Sequence, residues 1–433
     1  MSVKINVFKN LIFSAPINDS TSKWGVYAIP RLWKEPNGDL IIRFNGEQDT
    51  AFSDKINQAP NLYFRSSDNG DTFEFIPDGE EKYDIGVLLG IGSPYLKLRS
   101  GEIIALRGKK NLCPLSDIKP EKRFRMPNGE AIVHTYKYGD IDDNAKGLER
   151  IYLKDENSDP IISDSEILFD DREVFVNAEA SYEGADFVPV KQFIQPFIFK
   201  NPYIAGLTEL RDGTLLALTF GQNPKVSNRY CPSVYLLESV DKGLNWRLRS
   251  TVAEDFGETP YGYSGDGNEA DLALCENGDL LCSMRMDMSV DPKESTPLCD
   301  TMLAISHDSG FNWEKPISVA DSSVTPHIIT LENGIAVLIY GRPGVHFKIS
   351  EDNGANWSKP YNIIGKTLEE ERESGKSDSD SKYFDTSSYS NTFAEKISKN
   401  TFIVVYNDMK FDEGDGEFHK AGFIQRITVE KVD

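Results

Sequence analysis

Basic residues are in short supply in this chain, with 47 lysines and arginines against 69 acidic residues for a formal charge of −22. That balance argues against a sequence-independent grip on nucleic acid or on an anionic membrane surface, although a local cluster of arginines can still hold an anion. No run of 18 or more apolar residues occurs, and MSVKINVFKNLIFSAP lacks a basic segment followed by a continuous apolar one. The chain is therefore expected to be soluble and cytoplasmic. Five cysteines, at 113, 231, 275, 282 and 299, are too few and too scattered for a disulfide framework, and no CxxC pair or histidine spacing suggests zinc. Cys275 and Cys282 read as small core residues. A Gly-rich phosphate loop and a Ser-His-Asp motif are also missing, so neither a cofactor nor a metal is expected.

What the chain has in quantity is one repeated hairpin. NGDLIIRFNG begins at Asn37, SGEIIALRG at Ser100, DGTLLALTFG at Asp212, NGDLLCSMR at Asn277, NGIAVLIYGRPG at Asn333 and KNTFIVVYND at Lys399. Each is a turn signal followed by an apolar strand, and Asn-Gly between apolar runs reads as a two-residue hairpin turn. The turn markers stand at 38, 101, 213, 278, 334 and 400, separated by 63, 112, 65, 56 and 66 residues. The one long interval places an insertion or an enlarged unit at about 108–200. A period of about 60 residues, dense in short strands, matches four-stranded antiparallel blades arranged radially, so the expected fold is all-β: a six-bladed β-propeller forming one domain over 1–433.

A second repeat runs through the same units. RSSDNGDTFEF, ESVDKGLNWRL, ISHDSGFNWEKP and ISEDNGANWSKP share the form Ser-x-Asp-x-Gly-x-x-aromatic. Asp68, Asp241, Asp308 and Asp352 can accept from amides within the turn, the glycine supplies a positive φ, and Phe73, Trp246, Trp313 and Trp357 can pack back onto the blade. A calcium loop would need more spaced oxygen ligands than these turns carry.

In a propeller the innermost strands converge on one axial mouth. The starts of those strands present Arg31, Tyr95, Tyr203, Glu269, Asp271, His327 and Tyr389, and the ends of the next strands add Arg43, Arg107, Arg285 and Arg342. In NEADLALCENGDLLCSMR the acid Glu269 opens one strand and the base Arg285 closes the other, so an antiparallel hairpin brings both to the edge away from its turn.

The four boxes and the hairpin repeat resemble those of the sialidase superfamily, six-bladed propellers with Asp-box repeats, over Tyr27 to Asp408 apart from the insertion. SSYSNTF resembles that family's nucleophile segment and NEADLALCENGDLLCSMR its glutamate segment. The resemblance implies an exo-acting hydrolase releasing a terminal acidic sugar, with Tyr389 as nucleophile, Glu269 as its base and Arg285 as one carboxylate-binding arginine. Sialic acid carries a carboxylate at its anomeric carbon. A neutral phenol avoids the repulsion that a carboxylate nucleophile would meet there.

The family's first arginine is replaced by Ala28. Arg31 would face elsewhere unless a bulge re-aims it, and Arg342 stands in for the third arginine. Asp49 is the expected acid, and Arg107, Tyr203 and His327 complete the substrate-binding set. Two alternatives stay open: a propeller lyase or hydrolase acting on uronate- or rhamnose-containing glycans through His327, and a non-catalytic carbohydrate-binding propeller.

Overall fold

The computed structural model describes residues 2–16, 28–35, 37–45, 61–77, 95–108, 122–125, 132–137, 148–155, 157–168, 175–180, 206–222, 232–254, 265–288, 299–321, 325–341, 344–367, 369–370 and 393–432. Its architecture is all-β, and its contacts fall into two compact units: 1–91 with 275–277 and 320–433, and 92–274 with 278–319.

The first unit holds three four-stranded antiparallel sheets. One runs Ala28–Lys34, Leu40–Asn45, Leu62–Ser66, Glu74–Phe75, and another His327–Thr330, Ala336–Gly341, Val345–Ser350, Tyr361–Ile364. The third joins the two ends of the sequence, in the order Ser2–Pro16, Phe418–Val432, Thr401–Asp412, Phe393–Ser398. The second strand of each hairpin, such as LIIRF or AVLIYG, is nearly continuous in apolar residues because it is covered on both faces. Leu40, Ile41, Ile42, Val337, Leu338 and Ile339 are all fully buried. One core sets Ile42 and Phe44 against Ile403, Val405 and Ile424, and another sets Val337 and Phe347 against Phe402 and Phe423.

The second unit contains the sheet Gly265–Leu274, Leu280–Met288, Cys299–Ser306, Ile317–Ala320, together with an eight-stranded sheet. The latter is two four-stranded sets, Tyr95–Lys97 with Ile103–Gly108, Leu148–Leu153 and Ile161–Leu168, and Thr208–Glu209 with Leu215–Gln222, Pro232–Ser239 and Asn245–Ala253. They meet through parallel pairing of Glu166–Leu168 with Asn245–Arg247. Within the long interval between turn markers, 148–168 therefore completes a set, while Lys122–Arg125, Ile132–Lys137 and Phe175–Ala180 form a three-stranded sheet of their own.

The hairpin turns differ from the two-residue form that Asn-Gly suggests. Only the glycine has positive φ, 96° at Gly38 and 97° at Gly278. The Gly38 amide donates to Glu35 O at 2.9 Å and the Glu35 amide to Asp39 O at 2.7 Å, with the same pairing around Gly101, Gly213 and Gly334. The loop is a turn closed by a left-handed glycine, which explains why Ser-Gly, Asp-Gly and Asn-Gly serve equally.

The four Ser-x-Asp-x-Gly turns share one hydrogen-bond scheme. In each, the serine Oγ donates to the aspartate Oδ1 and accepts from the glycine amide, for example Ser306 Oγ at 2.9 Å from Asp308 and 2.8 Å from Gly310 N. A later amide closes the turn on the same carboxylate, from Thr72, Asn245, Asn312 or Asn356. The second unit also shows how the aromatic is used. Ser165 Oγ donates to Gly243 O at 2.6 Å and accepts from Trp246 Nε1 at 3.1 Å, and Ser250 does the same for Gly310 and Trp313 at 2.5 and 3.0 Å. In both cases the serine lies on the outer strand of the preceding set, so the turn stitches one four-stranded set to the next.

These turns carry a pH signature. Thr72 hydroxyl and amide hydrogen bonds hold Asp68 well below the usual carboxylate range, and the Asn312 amide lowers Asp308. Burial pushes Asp241 and Asp352 upward, but the Asn245 and Asn356 hydrogen bonds outweigh it and both end lowered. A depressed folded-state pKa stabilises above the unfolded value of about 3.9, and that contribution is lost as pH falls through the folded one. The urea midpoint should therefore drop between about pH 5 and pH 2.5, and Asp308→Asn should flatten that slope.

Candidate functional site

The hairpin 265–288 is irregular at one place. Asn268 pairs with Arg285 and Asp271 with Ser283, so three steps on one strand oppose two on the other. The extra residue forms a β-bulge, and Glu269 within it takes φ 44°. A glutamate with positive φ is strained by about 1–3 kcal/mol and persists only where its surroundings hold it. The bulge brings the Glu269 carboxylate to the Arg285 guanidinium, with Oε2 3.2 Å from Nη1. The two side chains keep 14% and 17% of their surface exposed, so the pair is shielded yet open to an incoming group.

Beneath this pair lies a face of which sequence reading named Asp271 and Arg285 but missed Ser283 and Thr301. Cross-strand register sets Asp271 opposite Ser283 and Arg285 opposite Thr301, which places the four side chains on one side of the sheet. Asp271 is 4% exposed, and Ser283 and Thr301 are fully buried. Asp271 Oδ1 accepts from the Leu272 amide at 2.8 Å. The available signal was polar residues alternating with Ala270, Leu272, Cys282 and Met284, all of which belong to one apolar core.

The first unit repeats the device. Its strand Ala28–Lys34 has the same register shift, between Ala28/Asn45 and Arg31/Arg43. Arg31 lies seven residues ahead of Gly38, as Asp271 does of Gly278 and His327 of Gly334. Thr325 holds φ 45° at the offset that Glu269 occupies, nine residues ahead of its own turn glycine. The bulge without which Arg31 was expected to face elsewhere is thus present. Arg31 is 1% exposed, its Nη1 donates to Pro30 O at 3.2 Å, and Arg43 stands directly across the strand pair.

His327 is also 1% exposed and packs its ring 4.8 Å from that of Phe393. Arg107 occupies the strand opposite Glu149. Tyr95, in the strand paired to Ala105, is half-buried. Tyr389, Asp49, Arg342 and Tyr203 lie outside the described residues. Of the expected set, Glu269 and Arg285 are brought together, while Arg31 and His327 lie buried in the other unit.

An all-β chain of repeated antiparallel hairpins, with an acid and an arginine held on a bulge, is what fold and site define together. No family model and no curated protein matches the sequence. Among solved structures, the chain is similar to a protein of unknown function from Dyadobacter fermentans DSM 18053, with 18% identity over 97% of this chain and 99% of that one and a TM-score of 0.54. That likeness is one of fold. An alpha-L-arabinofuranosidase of Fusarium graminearum bound to an iminosugar inhibitor matches at 12% identity over 96% and 97% of the chains, with a TM-score of 0.49. The NanB sialidase from Streptococcus pneumoniae matches at 14% over 96% and 70%, with a TM-score of 0.44.

Proposed function

We propose that the four-stranded sheets and the two halves of the eight-stranded sheet are six blades of a propeller, and that the protein is an exo-acting glycoside hydrolase releasing a terminal acidic sugar. The observation that carries this reading is the bulge that turns the Glu269 carboxylate onto Arg285, at the strand ends where a sialidase-like site needs a base and a carboxylate-binding arginine.

Tyr389 attacks the anomeric carbon as its phenolic proton passes to Glu269, and Asp49 protonates the departing glycosidic oxygen. Water then cleaves the tyrosyl intermediate with Asp49 as base, so the anomeric configuration is retained. Arg285, Arg31 and Arg342 hold the substrate carboxylate, with Arg107, Tyr203 and His327 lining the sugar.

The test is turnover of a fluorogenic sialoside by the full chain. Release of the fluorophore with a retained sugar product is expected. An unsaturated product absorbing in the ultraviolet would instead assign a lyase, and glycan binding with no turnover would assign a non-catalytic binding propeller.

A further inference from the structure

One buried face of the sheet that joins the two ends of the sequence finishes in polar side chains. Ile403 and Val405 on strand Thr401–Asp412 and Ile424 on Phe418–Val432 pack against Ile42 and Phe44 of Leu40–Asn45. Asn407 pairs with Gly422, so alternation carries that face on to Asn407 on one strand and to Gly422 and Lys420 on the other. A Cβ on Gly422 would lie 2.3 Å from Phe13 Cε1 and 2.6 Å from Phe44 Cζ, so two rings fill the space there. Asn407 is 1% exposed and Lys420 5%.

Lys420 stands apart from other cations of the chain. Arg65, Lys242, Arg249 and Arg426 each meet a carboxylate. Lys420 Nζ is buried, and no acceptor among the described residues lies within hydrogen-bonding distance of it. Burial holds the amine below its ordinary pKa, and no described carboxylate lies near enough to oppose that shift. A side chain as long as lysine ordinarily carries its charge out to water. In a chain with 69 acidic residues, a buried amine that meets none of them departs from the rule that buried charges are paired. The strand ladder also opens beside it: Asp408 pairs with Ala421 and Phe411 with His419, so Thr401–Asp412 bulges opposite Lys420.

We propose that Lys420 and Asn407 form a binding site for an oxyanion, a carboxylate or sulfate such as acidic glycans carry. The anion supplies the counter-charge and the acceptor for the Lys420 ammonium, and Asn407 adds an amide donor on the same face. Diagonal neighbours across a strand pair stand about 7–8 Å apart, near enough for both side chains to reach one oxyanion. Asn407 lies seven residues past its turn marker at 400, as Arg285 does past Gly278, so the site occupies the equivalent edge of its own sheet. It is separate from the hydrolase reading, since oxyanion binding needs no turnover.

The full chain, in chloride buffer at constant ionic strength, is titrated calorimetrically with sodium sulfate, a hexuronic acid and the neutral hexose, and the urea midpoint is read with each. One oxyanion per chain with a raised midpoint is expected for the uronate, for sulfate or for both. Uronate alone assigns an acidic glycan, and sulfate as well assigns oxyanions in general. Lys420→Met keeps the stem and deletes the charge, so it should be no less stable in chloride and bind the anion about 10-fold more weakly or worse. The specific midpoint rise is the excess of the unaltered chain over Lys420→Met, a difference that removes the general stabilising effect of sulfate. Asn407→Asp supplies a carboxylate from the chain itself and should abolish the response, which keeps the test decisive if Lys420→Met does not fold. Three outcomes overturn the assignment: no oxyanion binding by the unaltered chain, an equal response in Lys420→Met or Asn407→Asp, or an equal response to the neutral hexose.

Discussion

Glu269→Gln should lower turnover of an acidic glycoside by about 10²–10⁴-fold while leaving KM nearly unchanged, because it removes proton transfer and keeps the shape of the site. Tyr389→Phe should fall at least as far, since no covalent intermediate can then form. Arg285→Ala should behave differently. It removes a grip on the substrate carboxylate and so raises KM, and it also frees Glu269 from the partner 3.2 Å away. Glu269→Gly is the control for folding. It deletes the carboxylate and relieves the positive φ of 44°, so a loss of activity in a protein no less stable than Glu269→Ala separates chemistry from structure. Full activity in Glu269→Gln would remove this residue from the mechanism.

Gly310→Ala should be among the most destabilising single changes in the chain, by about 3 kcal/mol, measured as a shift in urea midpoint at constant slope. Two costs add there. The backbone holds φ 86°, which disfavours a side chain, and the new methyl would lie 2.4 Å from Leu236 Cδ2 and 3.1 Å from Leu280 Cδ1. Gly278→Ala isolates the first cost, because φ is 97° but nothing lies within 4 Å of the added carbon, so about 1–2 kcal/mol is expected. Equal losses in the two variants would show that packing at Gly310 is slack.

The hairpin repeat and the Ser-x-Asp-x-Gly turns were legible in the sequence because each rests on local chemistry: a glycine that must adopt positive φ, a carboxylate that serves its own turn, a continuous apolar strand. The meeting of Glu269 with Arg285 was legible for the same reason, since hairpin geometry alone relates a strand's start to its partner's end. Contacts made between distant segments were not. Ser165 and Ser250 look like ordinary strand serines until the neighbouring turn is placed against them. His419 carried no signal because its partner Ser14 is 405 residues away. The positive φ of Glu269 was hidden as well, for a bulge is a choice of register and glutamate does not announce it. The strands at 148–168 fell inside what reads as an insertion, because the three-stranded sheet interrupts the unit they complete.

The sheet that joins Ser2–Pro16 to Phe418–Val432 sets a schedule for biosynthesis. The earlier of the two segments finds its hydrogen-bonding mate only once Phe418–Val432 has been made, so Val7, Phe8 and Leu11 travel meanwhile on a strand with both edges bare. Nascent molecules in that interval are open to pairing with their neighbours, which charged side chains on an edge strand, such as Lys4 and Lys9, disfavour.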